Sequence, residues 1–84
     1  MTLYQFRALD EMEQIEAFWS GTYIGRRMDG KYLIECRQID GFYVEYKRDV
    51  EIGMYVDMRM FQNPDLLQPY FDQADNDNLN KLFP

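Results

Sequence analysis

Two short turn signals, "MDG" at 28–30 and "IDG" at 39–41, divide the middle of this chain into runs of alternating apolar and polar residues. Alternation of period two is the mark of a half-buried strand. Asp-Gly between such runs is among the strongest short-range signals for a β-hairpin. The same alternation returns at 54–61, "MYVDMRMF". The spacing predicts a four-stranded antiparallel meander with strands near 22–27, 32–38, 42–48 and 54–61.

Loop length sets the register. A three-residue loop, a type I turn followed by Gly30 or Gly41 in the left-handed conformation, places Cys36 opposite Val44 and Ile34 opposite Tyr46. A two-residue Asp-Gly loop would set Cys36 against Glu45 and Arg37 against Val44. A slip of one residue sends every side chain to the other face, so a sheet with one buried face favours the longer loop. Ile24, Ile34, Cys36, Phe42, Val44, Tyr46, Met54, Val56, Met58 and Met60 then share an apolar face. Glu35, Arg37, Glu45, Lys47, Asp57 and Arg59 share the opposite one with Tyr23, Tyr43, Tyr55 and Phe61. The connection "RDVEIG" at 48–53 keeps the alternation and extends either strand.

Ahead of the sheet, Leu9, Met12, Ile15 and Trp19 repeat at helical spacing, with acids mainly on the other side. This predicts an amphipathic helix over about 9–20 that covers the apolar face. The preceding "LYQF" reads as a short strand or extended arm. After the sheet, Asn63-Pro64 is a helix start, and Pro69 forces a restart. Leu66, Leu67, Tyr70, Phe71, Leu79, Leu82 and Phe83 are too apolar for a free tail and should dock on the sheet as short helical turns over about 64–83. "DQADNDN" reads as a loop between docked pieces. The expected fold is a single α+β domain spanning 1–84.

Composition narrows the function classes. With 46% hydrophobic and 17% aromatic residues, the chain carries the core-forming groups that disordered segments lack. Nine basic residues against fifteen acidic ones give a net charge of −6. Non-specific nucleic-acid binders draw their affinity from an excess of Lys and Arg, and anionic membranes select the same excess. Neither partner is expected. No apolar run resembles a signal peptide or approaches the roughly 20 residues of a spanning helix, so a cytoplasmic protein is expected. There is no histidine, which removes the commonest general base and transition-metal ligand.

"GFYVEY" at 41–46 resembles the RNA-recognition signature of Gly followed by alternating aromatics. It is one residue short, and Phe42 and Tyr46 fall on the expected core face rather than on an open platform. Cys36, lacking a histidine partner and set mid-strand, reads as a structural thiol. Glu35, Glu45 and Asp57 form a carboxylate row, but they alternate with Arg37, Lys47 and Arg59 as a solvated ladder does. "DNDN" at 75–78 lacks the glycine and terminal glutamate of a calcium loop. No catalytic residue, cofactor or metal site is assigned.

The segments "FWSGTYIGRR", "QIDGFYVEY" and "LLQPYFDQ" together resemble a group of short, uncharacterised bacterial proteins. The resemblance covers most of the chain and implies no activity, cofactor or site. The expected function is a non-enzymatic protein-interaction domain, binding a protein partner or a second copy of itself. Its candidate surface is Tyr23, Tyr43, Tyr55, Glu45, Lys47 and Arg59, since tyrosine among charges is typical of interfaces. The competing reading is that the tail covers this face. Two other functions stay open: an acidic inhibitor or nucleic-acid mimic that captures a basic partner, and a small-molecule binder.

Overall fold

The computed structural model describes residues 1–72. Two helices, α1 (Leu3–Ala8) and α2 (Glu11–Ser20), precede strands β1 (Thr22–Asp29), β2 (Tyr32–Ile39), β3 (Phe42–Asp49) and β4 (Met54–Phe61), and a 3-10 turn follows at Pro64–Leu67. The strands form one antiparallel sheet in the order β1-β2-β3-β4. The α+β meander is as the sequence predicts. The expected docking of Leu79, Leu82 and Phe83 and the expected loop at 75–78 lie outside the described residues.

The N-terminal region is two helices because it carries two capping boxes. The Thr2 hydroxyl accepts from Gln5 N at 3.1 Å, and the Gln5 side chain accepts from Thr2 N at 2.8 Å. Asp10 and Glu13 repeat the arrangement at 2.9 and 3.1 Å. Each box satisfies backbone donors that a helix start leaves orphaned. "LYQF" is therefore helical rather than extended. Leu9 caps the end of α1 and is not the first residue of the long helix. Gln14 Nε2 donates to Phe6 O at 3.1 Å and ties the two helices together.

The hairpin register differs from the expected one. Ile39 pairs with Phe42, Arg37 with Val44 and Cys36 with Glu45, so the β2–β3 loop is the two-residue Asp40-Gly41. Asp29 pairs with Tyr32, and that loop too has two residues. The left-handed conformation falls on the first residue of each loop, Gly30 at φ 61° and Asp40 at φ 51°, and not on Gly41. Aspartate tolerates this region better than most residues. A three-residue loop is favoured only where one face is buried, and both faces of this sheet are covered. Phe42 and Val44 of β3 face the helices and join Phe6 and Phe18. Ile34 and Cys36 of β2 face the other way and join Phe61, Leu67 and Tyr70.

The glycine positions test this register directly. Gly30→Ala is expected to lose about 1 kcal/mol, because it forces a Cβ into the left-handed region. Gly41→Ala, with no atom within 4 Å of the added Cβ, is expected to be neutral or slightly stabilising. Urea denaturation of the two variants checks the contrast. Equal losses would return the register to the three-residue loop.

The 48–53 segment divides between β3 and a four-residue loop, Val50–Gly53. Asp49 organises that loop. Its carboxylate accepts from the N–H groups of Glu51 (2.9 Å) and Ile52 (3.3 Å) and pairs with Lys31 at 3.3 Å. Burial alone would raise the Asp49 pKa; the Ile52 and Glu51 donors and the Lys31 charge outweigh it and hold the pKa below the ordinary carboxylate value.

Beyond β4, the Asn63 side chain accepts from Asp65 N at 3.0 Å and starts the 3-10 turn. Helical backbone resumes through residues 68–72, with Pro69 near its start, where a missing N–H costs no helix bond. Leu67 and Tyr70 are buried against the sheet as expected, whereas Leu66 and Phe71, expected to dock with them, are exposed because they lie on the outer side of the same turns.

Candidate functional site

The register divides the predicted surface between the two faces of the sheet. Tyr43, Glu45, Lys47 and Arg59 lie on the tail side, with Asp57. Tyr23 and Tyr55 lie on the helix side, with Glu35 and Arg37. Tyr43 stacks on Phe61 with ring centres 5.5 Å apart and packs on the tail-side core.

On the helix side an aromatic array crosses the width of the sheet. Phe18 is buried at its centre and stacks on Tyr46 at 5.3 Å. Trp19 lies 5.0 Å from Phe18 and 5.5 Å from Tyr46. Tyr46 meets Tyr55 of edge strand β4 at 5.2 Å. Arg37 closes the other end, its guanidinium 5.0 Å from the Trp19 ring, 5.5 Å from Phe18 and 5.9 Å from Tyr23 of edge strand β1. Arg37 is fixed rather than free: it donates to Glu35 at 2.7 Å and to the carbonyls of Trp19 and Gly21, both at 3.2 Å. These bonds let Arg37 sit opposite Val44 and Glu35 lie buried. Burial raises the Tyr55 hydroxyl pKa, with Glu11 and Asp57 adding to it, so Tyr55 stays a neutral donor at physiological pH.

Half of this array is open to solvent. Trp19 is 49% exposed, Tyr23 48% and Met12, one helical turn and more before Trp19, 68%. The predicted stripe of Leu9, Met12, Ile15 and Trp19 is thus not the buried face of α2. Phe18 anchors the helix, Leu9 packs on the helix-side core, and Met12 and Trp19 are left exposed. Sequence reasoning missed Trp19, Arg37 and Tyr46 as surface members. Trp19 and Tyr46 read as core, and Arg37 was assigned to the opposite face.

The tail side holds a buried carboxylate. Glu45 Oε1 accepts from Arg59 Nε at 2.8 Å. Its Oε2 accepts from Arg27 Nη2 at 3.5 Å and from the Tyr70 hydroxyl. These three donors explain why glutamate is tolerated opposite Cys36. Burial, reinforced by Glu45, pushes the Cys36 thiol up to about 12, so it is a neutral thiol and not a nucleophile at neutral pH. Burial and the bond to Glu45 likewise raise Tyr70. A polar cavity of about 250 Å³ opens in front of Glu45, lined by Arg27, Asp29, Ile34, Lys47, Asp57 and Arg59. With both its oxygens engaged by donors, the Glu45 carboxylate does not present the free base that proton transfer needs.

A second, shallower hollow of about 460 Å³ lies where α2 runs into β1, between Ala17, Ser20, Thr22, Gln38 and Ile39. Among the described residues no group of His, Cys, Asp and Glu could hold a metal ion, and no helix is long and apolar enough to cross a membrane. Compared with protein-family models, with curated proteins and with solved structures, this chain matches none of them.

Proposed function

We propose that this domain is a small, non-enzymatic protein-interaction module that docks a polypeptide on the array Trp19–Tyr46–Tyr55, with Tyr23 and Met12 at its rim. The observation that carries this reading is the rigid, half-exposed run of Trp, Tyr and Arg across one sheet face. These residue types dominate the binding energy of protein interfaces. Arg37, held by Glu35 and two carbonyls, fixes the rings in advance and lowers the ordering cost of binding.

Charge favours one kind of partner. Glu11, Glu13 and Glu16 are exposed on α2, which carries no basic residue. A partner segment with an apolar or aromatic anchor flanked by Lys or Arg complements this face. The acidic nucleic-acid mimic is the weaker reading, because the acids of the sheet are interleaved with bases. Glu35, Glu45 and Asp49 are each buried and each paired with Arg or Lys.

Photo-crosslinkers placed at Trp19 and at Tyr55 in the full chain should trap the same basic partner. The same group at Tyr4, which is 82% exposed on α1 and makes no aromatic contact with the array, should not. Trp19→Ala should weaken that partner's binding at least about tenfold while the fold is kept. Equal trapping at Tyr4, or unchanged affinity of the variant, would remove the array from the reading.

A further inference from the structure

We infer that β4 is a self-complementary edge, and that two copies of the chain pair along it to make one eight-stranded antiparallel sheet. This does not rest on the docking face proposed above. β4 is the last strand of the sheet, and among the described residues no strand pairs with its outer side. Proteins commonly blunt such edges with proline, lysine or very short strands. β4, at Met54–Phe61, is eight residues long and contains neither proline nor lysine.

The side chains specify the occupant. Antiparallel pairing about a two-fold axis at Met58 sets Asp57 of each copy opposite Arg59 of the other. Opposite charges directly across strands stabilise a sheet, and here the pair occurs twice. Such an isologous contact closes on itself and stops at two copies. Both charged groups are available for it. Asp57 is exposed and has no ion-pair partner among the described residues, although Lys47 stands opposite it in register. Arg59 is 59% exposed and uses its Nε for Glu45, which leaves its terminal amino groups for a second carboxylate. Val56 and Met54 are exposed on the same strand. The other edge lacks this symmetry. Each edge strand carries one irregularity, β1 between Tyr23 and Gly25 and β4 at Val56, since Asp57 pairs with Lys47 and Tyr55 with Arg48; β1 differs in that a two-fold axis at or beside Arg26 sets guanidinium against guanidinium.

Sedimentation equilibrium of the full chain tests the inference. Wild type should be dimeric at high concentration and dissociate on dilution. Asp57→Arg should weaken the dimer at least about tenfold, since two attractive pairs become repulsive. Arg59→Asp should do the same. A mixture of the two variants should restore the dimer, because each supplies the charges the other lacks. A wild type that stays monomeric up to millimolar concentration overturns the inference. So does an Asp57→Arg variant as dimeric as wild type, or a mixture of two folded variants that stays monomeric. Circular dichroism decides whether Arg59→Asp, which also loses the bridge to Glu45, is folded. If it is not, Asp57→Arg alone decides, because residue 57 has no partner inside the described domain to lose.

Discussion

Phe18→Ala is expected to destabilise the domain by about 3–5 kcal/mol, the range for truncating a fully buried aromatic side chain. Phe18 is wholly buried and is the contact through which α2 sits on the sheet. It touches Tyr46, Trp19 and Arg37 together. The whole stability of a domain of 84 residues is only roughly 4–13 kcal/mol, so the loss leaves a marginal fold. Urea denaturation followed by far-ultraviolet circular dichroism and by Trp19 fluorescence measures it. The fluorescence should also shift in the absence of denaturant, since Trp19 packs on the deleted ring. A loss under about 1 kcal/mol would mean that the helical layer is held by something other than this ring.

Glu45→Ala should cost about 2–4 kcal/mol, and for the opposite physical reason. Nothing apolar is lost. Three donors lose their acceptor, and orphaned buried donors carry their full desolvation penalty. Arg59 is exposed enough to turn to water. Arg27 is not, because its Nε is already buried without a partner, and Tyr70 is buried to 2%. Tyr70→Phe, which removes one donor and spares the carboxylate, should cost about 1 kcal/mol. Combined, the two changes should cost less than their sum, because they break one shared bond. Strict additivity in denaturation experiments would place Tyr70 outside the Glu45 network.

The architecture was legible from a few residues. The Asp-Gly turns marked the hairpins, Pro64 and Pro69 divided the tail, and Leu67 and Tyr70 were rightly docked. Cys36 was rightly read as buried, though on the face opposite Val44. The register was not legible, and the cause is specific. Cys36 against Glu45 and Arg37 against Val44 look like errors while only sequence neighbours are in view. They become acceptable once Tyr70, Arg27 and Arg59 surround Glu45, and once Phe18 and Trp19 lie against Arg37. Those partners come from distant parts of the chain. The candidate surface inherited the same slip, which is why Tyr23 and Tyr55 parted from Tyr43, Glu45, Lys47 and Arg59. The capping boxes Thr2–Gln5 and Asp10–Glu13 were visible as Ser/Thr/Asp-x-x-Glu/Gln patterns, and the smoother helical periodicity of 9–20 obscured them.

The donors to Glu45 are spread in time as well as in space. Synthesis delivers Arg27 with the first strand and Arg59 with the last, and Tyr70 only after every strand is complete. A nascent chain halted between Phe61 and Leu67 holds an entire meander whose tail side is still wet, with the Cys36 thiol open to solvent beside it. Docking of Leu67 and Tyr70 then closes the tail side over Cys36. Loss of thiol reactivity at Cys36 serves as the clock that times it.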